Sequence, residues 1–95
     1  MPMKEITDEK LDKYFRITNA AIAKVKITVK DEEKRKIGED FLTMAKCYLS
    51  DAQHFRDKGD YVSSFGAINY AHAWLDAGAR MKIFDVHDSD LFASD

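Results

Sequence analysis

Between Thr7 and Val25, apolar side chains recur at steps of three and four: Leu11, Tyr14, Phe15, Ala21, Ile22 and Val25, with Thr18 in the same line. That spacing puts them on one stripe of a 3.6-residue helix, with Lys10, Lys13, Arg16, Lys24 and Lys26 mostly turned away. Thr7 suits an N-cap, and Asp8 and Glu9 complement the positive end of the helix dipole. Ile27-Thr28-Val29 is a β-branched run that a helix tolerates poorly. The first helix is therefore expected over about 7–28.

Asp31, with Glu32 and Glu33 behind it, starts a second helix expected over about 31–58. Its stripe is Ile37, Phe41, Met44, Ala45, Tyr48, Ala52 and Phe55, and Leu42 and Leu49 widen it, as suits a helix with two neighbours. Lys58 and Gly59 supply a cation and a left-handed glycine at its end. Asp60 caps a third helix at once, expected over about 60–82. So tight a junction forces the second and third helices to pack antiparallel. The whole pattern predicts an all-α, antiparallel up-down three-helix bundle: one domain over 1–85, then a loose acidic tail over 86–95 in which Leu91 and Phe92 are free to dock.

The third helix breaks the one-sided pattern. Ile68, Ala71 and Leu75 make one face, Ala67, Trp74 and Met81 the next, then Tyr70, Ala73 and Ala77. Its polar residues Asn69, His72, Asp76 and Arg80 share a single stripe, bordered one turn earlier by Phe65 and Val62. A helix apolar nearly all round is normally buried on most sides, whereas a three-helix bundle leaves one side wet. Three readings are open. The stripe faces solvent with Asp76 and Arg80 paired; or it is half-buried and hydrogen-bonds itself or a loop; or it belongs to a contact surface anchored by Trp74 or Tyr70. Gly66 and Gly78, each costing about 1 kcal/mol against Ala inside a helix, suggest close approach of another backbone. Tight packing within the chain is preferred there over a dimer seam.

Composition changes little in this picture. The 95 residues hold 45% hydrophobic and 34% charged side chains, with six Phe, four Tyr and one Trp, which suits a folded domain. The net charge of −2 lacks the basic excess that general nucleic-acid binding needs. Residues 1–36 are the basic part, with ten Lys/Arg against seven Asp/Glu, and read as solvated helix faces. The lone Cys47 excludes an internal disulfide and reads as a half-buried packing residue. Its nearest histidine along the helix, His54, is about 10 Å on by helical rise, too far to activate a thiolate. His72 and Asp76 have i,i+4 geometry for a metal but supply only two ligands, and nothing in the spacing requires His54 to contribute from the second helix, so no metal and no cofactor are expected. No phosphate loop or nucleophile elbow occurs, and the reading leans away from an enzyme. A charged start without an apolar core, and no long apolar run, lead us to expect a cytoplasmic protein with no membrane contact.

Gly59-Asp60-Tyr61-Val62, then the run from Asn69-Tyr70-Ala71-His72 through Trp74-Leu75-Asp76-Ala77-Gly78-Ala79-Arg80, closing on Phe84-Asp85, resembles an archaeal family known as domain of unknown function 357. Phe41-Leu42, Met44-Ala45-Lys46, Tyr48 and Asp51-Ala52 are similar to that family's second helix. The resemblance implies a short helical bundle in an archaeal cytoplasm and an accessory role beside a nucleotidyltransferase-like domain. It carries no catalytic residues. This chain departs from the family at Met81-Lys82-Ile83, where a glycine is usual, so a different helix exit is expected. The leading expectation is a protein-interaction or accessory domain, associating with a protein partner or with itself through the third helix. The alternative is a small-molecule or nucleotide-binding domain, or a weak hydrolase, using Asn69, His72, Asp76 and Arg80. A cleft at His72 and Asp76 with Asp51 or His54 converging from the second helix would favour the alternative. An apolar surface around Trp74 and Tyr70 would favour the first.

Overall fold

A computed structural model describes residues 5–92. Three helices form: α1 over Asp8–Lys24, α2 over Glu32–Asp57 and α3 over Tyr61–Arg80. Each starts on its expected cap. Thr7 Oγ1, Asp31 Oδ1 and Asp60 Oδ1 accept the backbone N–H groups of Lys10, Lys34 and Ser63, each at 3.1 Å, which satisfies one of the donors every helix start leaves open.

At the end of α2, Gly59 takes a φ of 82°. The Gly59 N–H donates to the Arg56 carbonyl and the Asp60 N–H to the Phe55 carbonyl, both at 2.9 Å. These paired bonds are a Schellman closure, which needs the left-handed residue that glycine supplies without strain. The chain reverses there, and α3 packs chiefly along α2, with α1 laid more lightly against both. The result is an all-α three-helix bundle.

The α3 exit repeats that closure without glycine. Lys82 adopts a φ of 60°, its N–H donates to the Ala79 carbonyl at 3.0 Å, and the Ile83 N–H donates to the Gly78 carbonyl at 3.1 Å. The expected difference in capping is thus one of residue and not of geometry.

α1 is shorter than expected and ends at Lys24. The β-branched run beyond it is extended: Ile27 forms an antiparallel bridge with Phe84, and the Asp85 N–H donates to the Lys26 carbonyl at 2.7 Å. Pairing with the segment that leaves α3 gives these residues the backbone partners a longer helix would have supplied.

Between those segments lies the larger core cluster, in which Ala21, Ala45, Leu75, Ile83, Phe84 and Phe92 are buried. Two glycines shape it. A Cβ on Gly38 would stand 2.6 Å from Ile83 Cγ2, and one on Gly78 would enter the Phe84 ring. What approaches Gly78 is therefore an aromatic side chain and not a second backbone. A smaller cluster of Ala52, Ala67 and Ile68 fills the opposite half, with Tyr14, Phe15 and Phe55 against it. Buried Ser64 crosses it by donating to the Ala52 carbonyl at 2.7 Å. Arg56 ties that end together, pairing with Asp12 at 2.7 Å and Asp8 at 3.2 Å, while the Tyr61 hydroxyl donates to Asp8 at 2.5 Å.

The tail, expected to be loose, is packed as far as it is described. Phe92 is buried in the larger cluster and Leu91 lies against it. Asp88 pairs with Lys24 at 2.9 Å and accepts the Asp90 N–H, while its carbonyl accepts the Phe92 N–H at 2.9 Å. Two apolar residues at the end of an acidic run are enough to pull it onto the bundle. Residues 1–4 and 93–95, including the rest of the expected tail, lie outside the described residues.

Candidate functional site

The two neighbours of α3 divide its circumference. Ser64, Ala67, Ala71, Leu75, Gly78 and Ala79 are buried along the line that meets α2. The side facing α1 carries Phe65, edge-on to Tyr14 with centroids 5.3 Å apart, and His72. What remains is a third face. Val62, Asn69, Tyr70, Ala73 and Arg80 are exposed, with Gly66 and Ala77 half-exposed beside them. Val62 and Tyr70 are 75% and 63% exposed, the most open large apolar side chains of the helix.

The polar stripe read from the sequence is therefore split. His72 points into the angle between α1 and the tail. Its Nε2 lies 2.6 Å from the Leu91 carbonyl and its Nδ1 3.1 Å from Thr18 Oγ1. A carbonyl only accepts, so Nε2 carries the proton; in the neutral ring, Nδ1 then accepts from the Thr18 hydroxyl. Asp76 stands 3.6 Å from Nε2, near enough for attraction but too far for a hydrogen bond. Thr18 is fully buried, and this histidine gives its hydroxyl a partner. His72 joins α1, α3 and the tail. That matches the half-buried reading for this residue.

Asn69, His72 and Asp76 do share a cleft, closed by Tyr14, Ile17 and Ala73, of about 200 Å³. Its far wall is α1, not α2. Asp51 lies instead in an apolar groove with Tyr48, Phe55, Gly66 and Tyr70, and His54 packs edge-on to Phe55 at 5.9 Å. Arg80 does not line the cleft. Among the described residues no three His, Cys, Asp or Glu side chains are placed to hold a metal ion.

Trp74, one of the two anchors the sequence offered, is half-buried against the larger core and meets Phe41 edge-on, with centroids 5.1 Å apart. One other sequence reading is corrected. Cys47 is exposed and not half-buried, because its position on α2 faces away from both neighbours.

Tyr70 is the aromatic left on the surface. It stacks on Tyr48 of α2 at 5.3 Å with the rings inclined by 22°, which makes a two-ring shelf. Gly66, one turn before it, has nothing within 4 Å of the place its Cβ would take. Gly66, Asn69, Tyr70 and Ala73 border a shallow hollow on this face whose walls are almost wholly apolar. The residues that hold the bundle's ends, Arg56 with Asp8 and Asp12, and Thr18 with His72, were not readable beforehand. Each set is spread over separate helices and has no local spacing to betray it.

Fold and site together define a small helical-bundle domain with one apolar helix face left uncovered. The chain belongs to the family described as protein of unknown function (DUF357), whose model matches residues 13–84. The match runs from the first stripe of α1 to the bridge residue Phe84 and leaves the docked tail outside it. No curated protein and no solved structure matches the chain. Among the described residues no helix is long and apolar enough to cross a membrane.

Proposed function

We propose that this domain is a protein-interaction module that self-associates through the exposed face of α3. The observation that carries the reading is the uncovered line of Val62, Gly66, Tyr70 and Ala73, which bears no charge and includes both of the helix's open apolar side chains. Scattered surface apolar residues need no explanation, but a continuous neutral line backed by a stacked tyrosine pair is what a partner helix packs on. Gly66 adds support. It weakens the helix by about 1 kcal/mol against Ala, and no neighbour in its own chain requires it.

The alternative, a small-molecule or nucleotide site at Asn69, His72, Asp76 and Arg80, has less behind it. Both ring nitrogens of His72 are engaged within the chain. The cleft, at about 200 Å³, is smaller than the roughly 300 Å³ at which ligand pockets begin. A melting screen over nucleotides and divalent metals that raised the midpoint would revive it.

Size-exclusion chromatography with light scattering tests the leading reading. Wild type is expected to exceed the monomer mass at high concentration, and Tyr70→Arg to run as a monomer with unchanged helicity. A monomeric wild type at every concentration would end the reading.

A further inference from the structure

The groove between α2 and α3 on the open side of the bundle joins aromatic rings to a single charge. The Ser64 bond to the Ala52 carbonyl and the Tyr48–Tyr70 stack fix the antiparallel register of the two helices. That register sets Asp51 beside Gly66 and Ala67, and Phe55 beside Ser63. The groove is thus closed by the tyrosine pair at one end and by Phe55 at the other, about 10 Å apart by helical rise along α2. It encloses about 300 Å³.

Asp51 is its only charged lining residue. The carboxylate is exposed and makes no hydrogen bond or ion pair among the described residues. Asp8, Asp12 and Asp88, by contrast, each pair with a cation from another element. No lysine, arginine or histidine lines the groove to neutralise Asp51.

We propose that this groove takes the arginine side chain of a partner protein, its guanidinium held by Asp51 and the aromatic rings and its methylene stem lying along Gly66 and Ala67. An unpaired carboxylate among aromatic rings selects a cation on an apolar stem, because the ring quadrupole and the negative charge attract the same group. Guanidinium suits both partners better than ammonium does. It is planar and weakly hydrated, stacks on aromatic rings, and meets a carboxylate with two parallel donors. Gly66 leaves open the room a stem needs, since no neighbouring atom lies within 4 Å of the place of its Cβ. A small-molecule pocket buries most of its ligand, whereas Asp51 and Tyr70 are both exposed here. The groove therefore suits one side chain reaching in from a backbone that stays outside. The inference goes beyond the self-association reading and does not depend on it. Gly66 and Tyr70 belong to both surfaces, so an arginine-bearing partner and a second copy would compete.

Amide NMR titration of isotope-labelled protein, at a concentration where sedimentation shows a monomer, tests the assignment. The probes are three blocked tripeptides with arginine, lysine or norleucine between two glycines. The arginine peptide is expected to bind in the millimolar range, with saturable shifts at Tyr48, Asp51, Phe55, Gly66 and Tyr70. The lysine peptide should bind more weakly and the norleucine peptide should give no saturable shift. Asp51→Asn, a change at an exposed position, should weaken arginine binding roughly two- to five-fold, as loss of an exposed ion pair does. Added salt should weaken binding to wild type more than to that variant. Norleucine binding as well as arginine, or arginine binding untouched by Asp51→Asn, would overturn the proposal. Lysine binding as tightly as arginine would overturn the guanidinium assignment. Shifts elsewhere on the bundle, or none that saturate, would end it altogether. A wild type that binds the peptide but never associates would end the self-association reading alone; one that associates but ignores the peptide would end this one alone.

Discussion

A single lysine carries the strain at the end of α3. Lys82 holds a left-handed conformation that costs a non-glycine residue about 1 kcal/mol or more. Lys82→Gly is expected to stabilise the fold by about 0.5–1 kcal/mol, read as a higher urea midpoint; no gain would mean the closure carries no strain. Gly66 and Gly78 are both interior helix glycines, and from sequence both suggested a close backbone. The structure separates them: Gly66 faces open space and Gly78 faces the Phe84 ring. Gly66→Ala should therefore raise stability by about 1 kcal/mol, while Gly78→Ala should lower it by about 1–3 kcal/mol through overpacking. Equal effects in the same melting series would contradict the assignment.

Helix starts were legible because each cap is local. Thr7, Asp31 and Asp60 stand where their own helices need them, and Gly59 announces the turn. The end of α1 was not legible, since Phe84, more than fifty residues later, decides it. The tail was not legible for the same reason: its period is absent, but Phe92 is buried in the larger core cluster with residues far from it in sequence. Phe92→Ala should cost about 3 kcal/mol; a change within about 0.5 kcal/mol in denaturant unfolding would mean the segment contributes no packing.

The polar ties between elements give a pH dependence. The Tyr61 hydroxyl, then Arg56, holds Asp8 below the ordinary value of 3.8. The Ser63 N–H does so for Asp60, and Lys24, then the Asp90 N–H, for Asp88. A carboxyl depressed in the folded state stabilises above its unfolded value and loses that contribution as pH falls through the folded one. Melting temperature should therefore drop as pH falls below about 4, with the ends of α1 and the tail loosening first. Tyr61 is pushed above 10.0 by the Asp8 carboxylate, so its share is lost as pH rises beyond that value. A flat acid limb down to about pH 2 would contradict these contacts.

For the molecule as a whole, the bundle was readable from periodicity and the odd helix from its lack of a polar side. What could not be read was how two neighbours would share that circumference. The sequence puts Asn69, His72, Asp76 and Arg80 on one line. α1 and the tail claim His72, and Trp74 turns inward to Phe41. The proposed self-association therefore rests one strip round the helix, on Val62, Gly66, Tyr70 and Ala73. The tail meets α3 at His72 and leaves Val62, Tyr70 and Ala73 exposed.

Sedimentation equilibrium on wild type and Gly66→Leu tests this account most directly. A Cβ at that position has no atom of a neighbouring element within 4 Å, and leucine favours the helix by a few tenths of a kcal/mol or more over glycine, so the longer side chain extends over the exposed face. Wild type is expected to rise from 10.9 kDa toward twice that mass with concentration, and Gly66→Leu to remain a monomer that melts no lower. A wild type that stays at the monomer mass, or a Gly66→Leu variant that associates as wild type does, would contradict it.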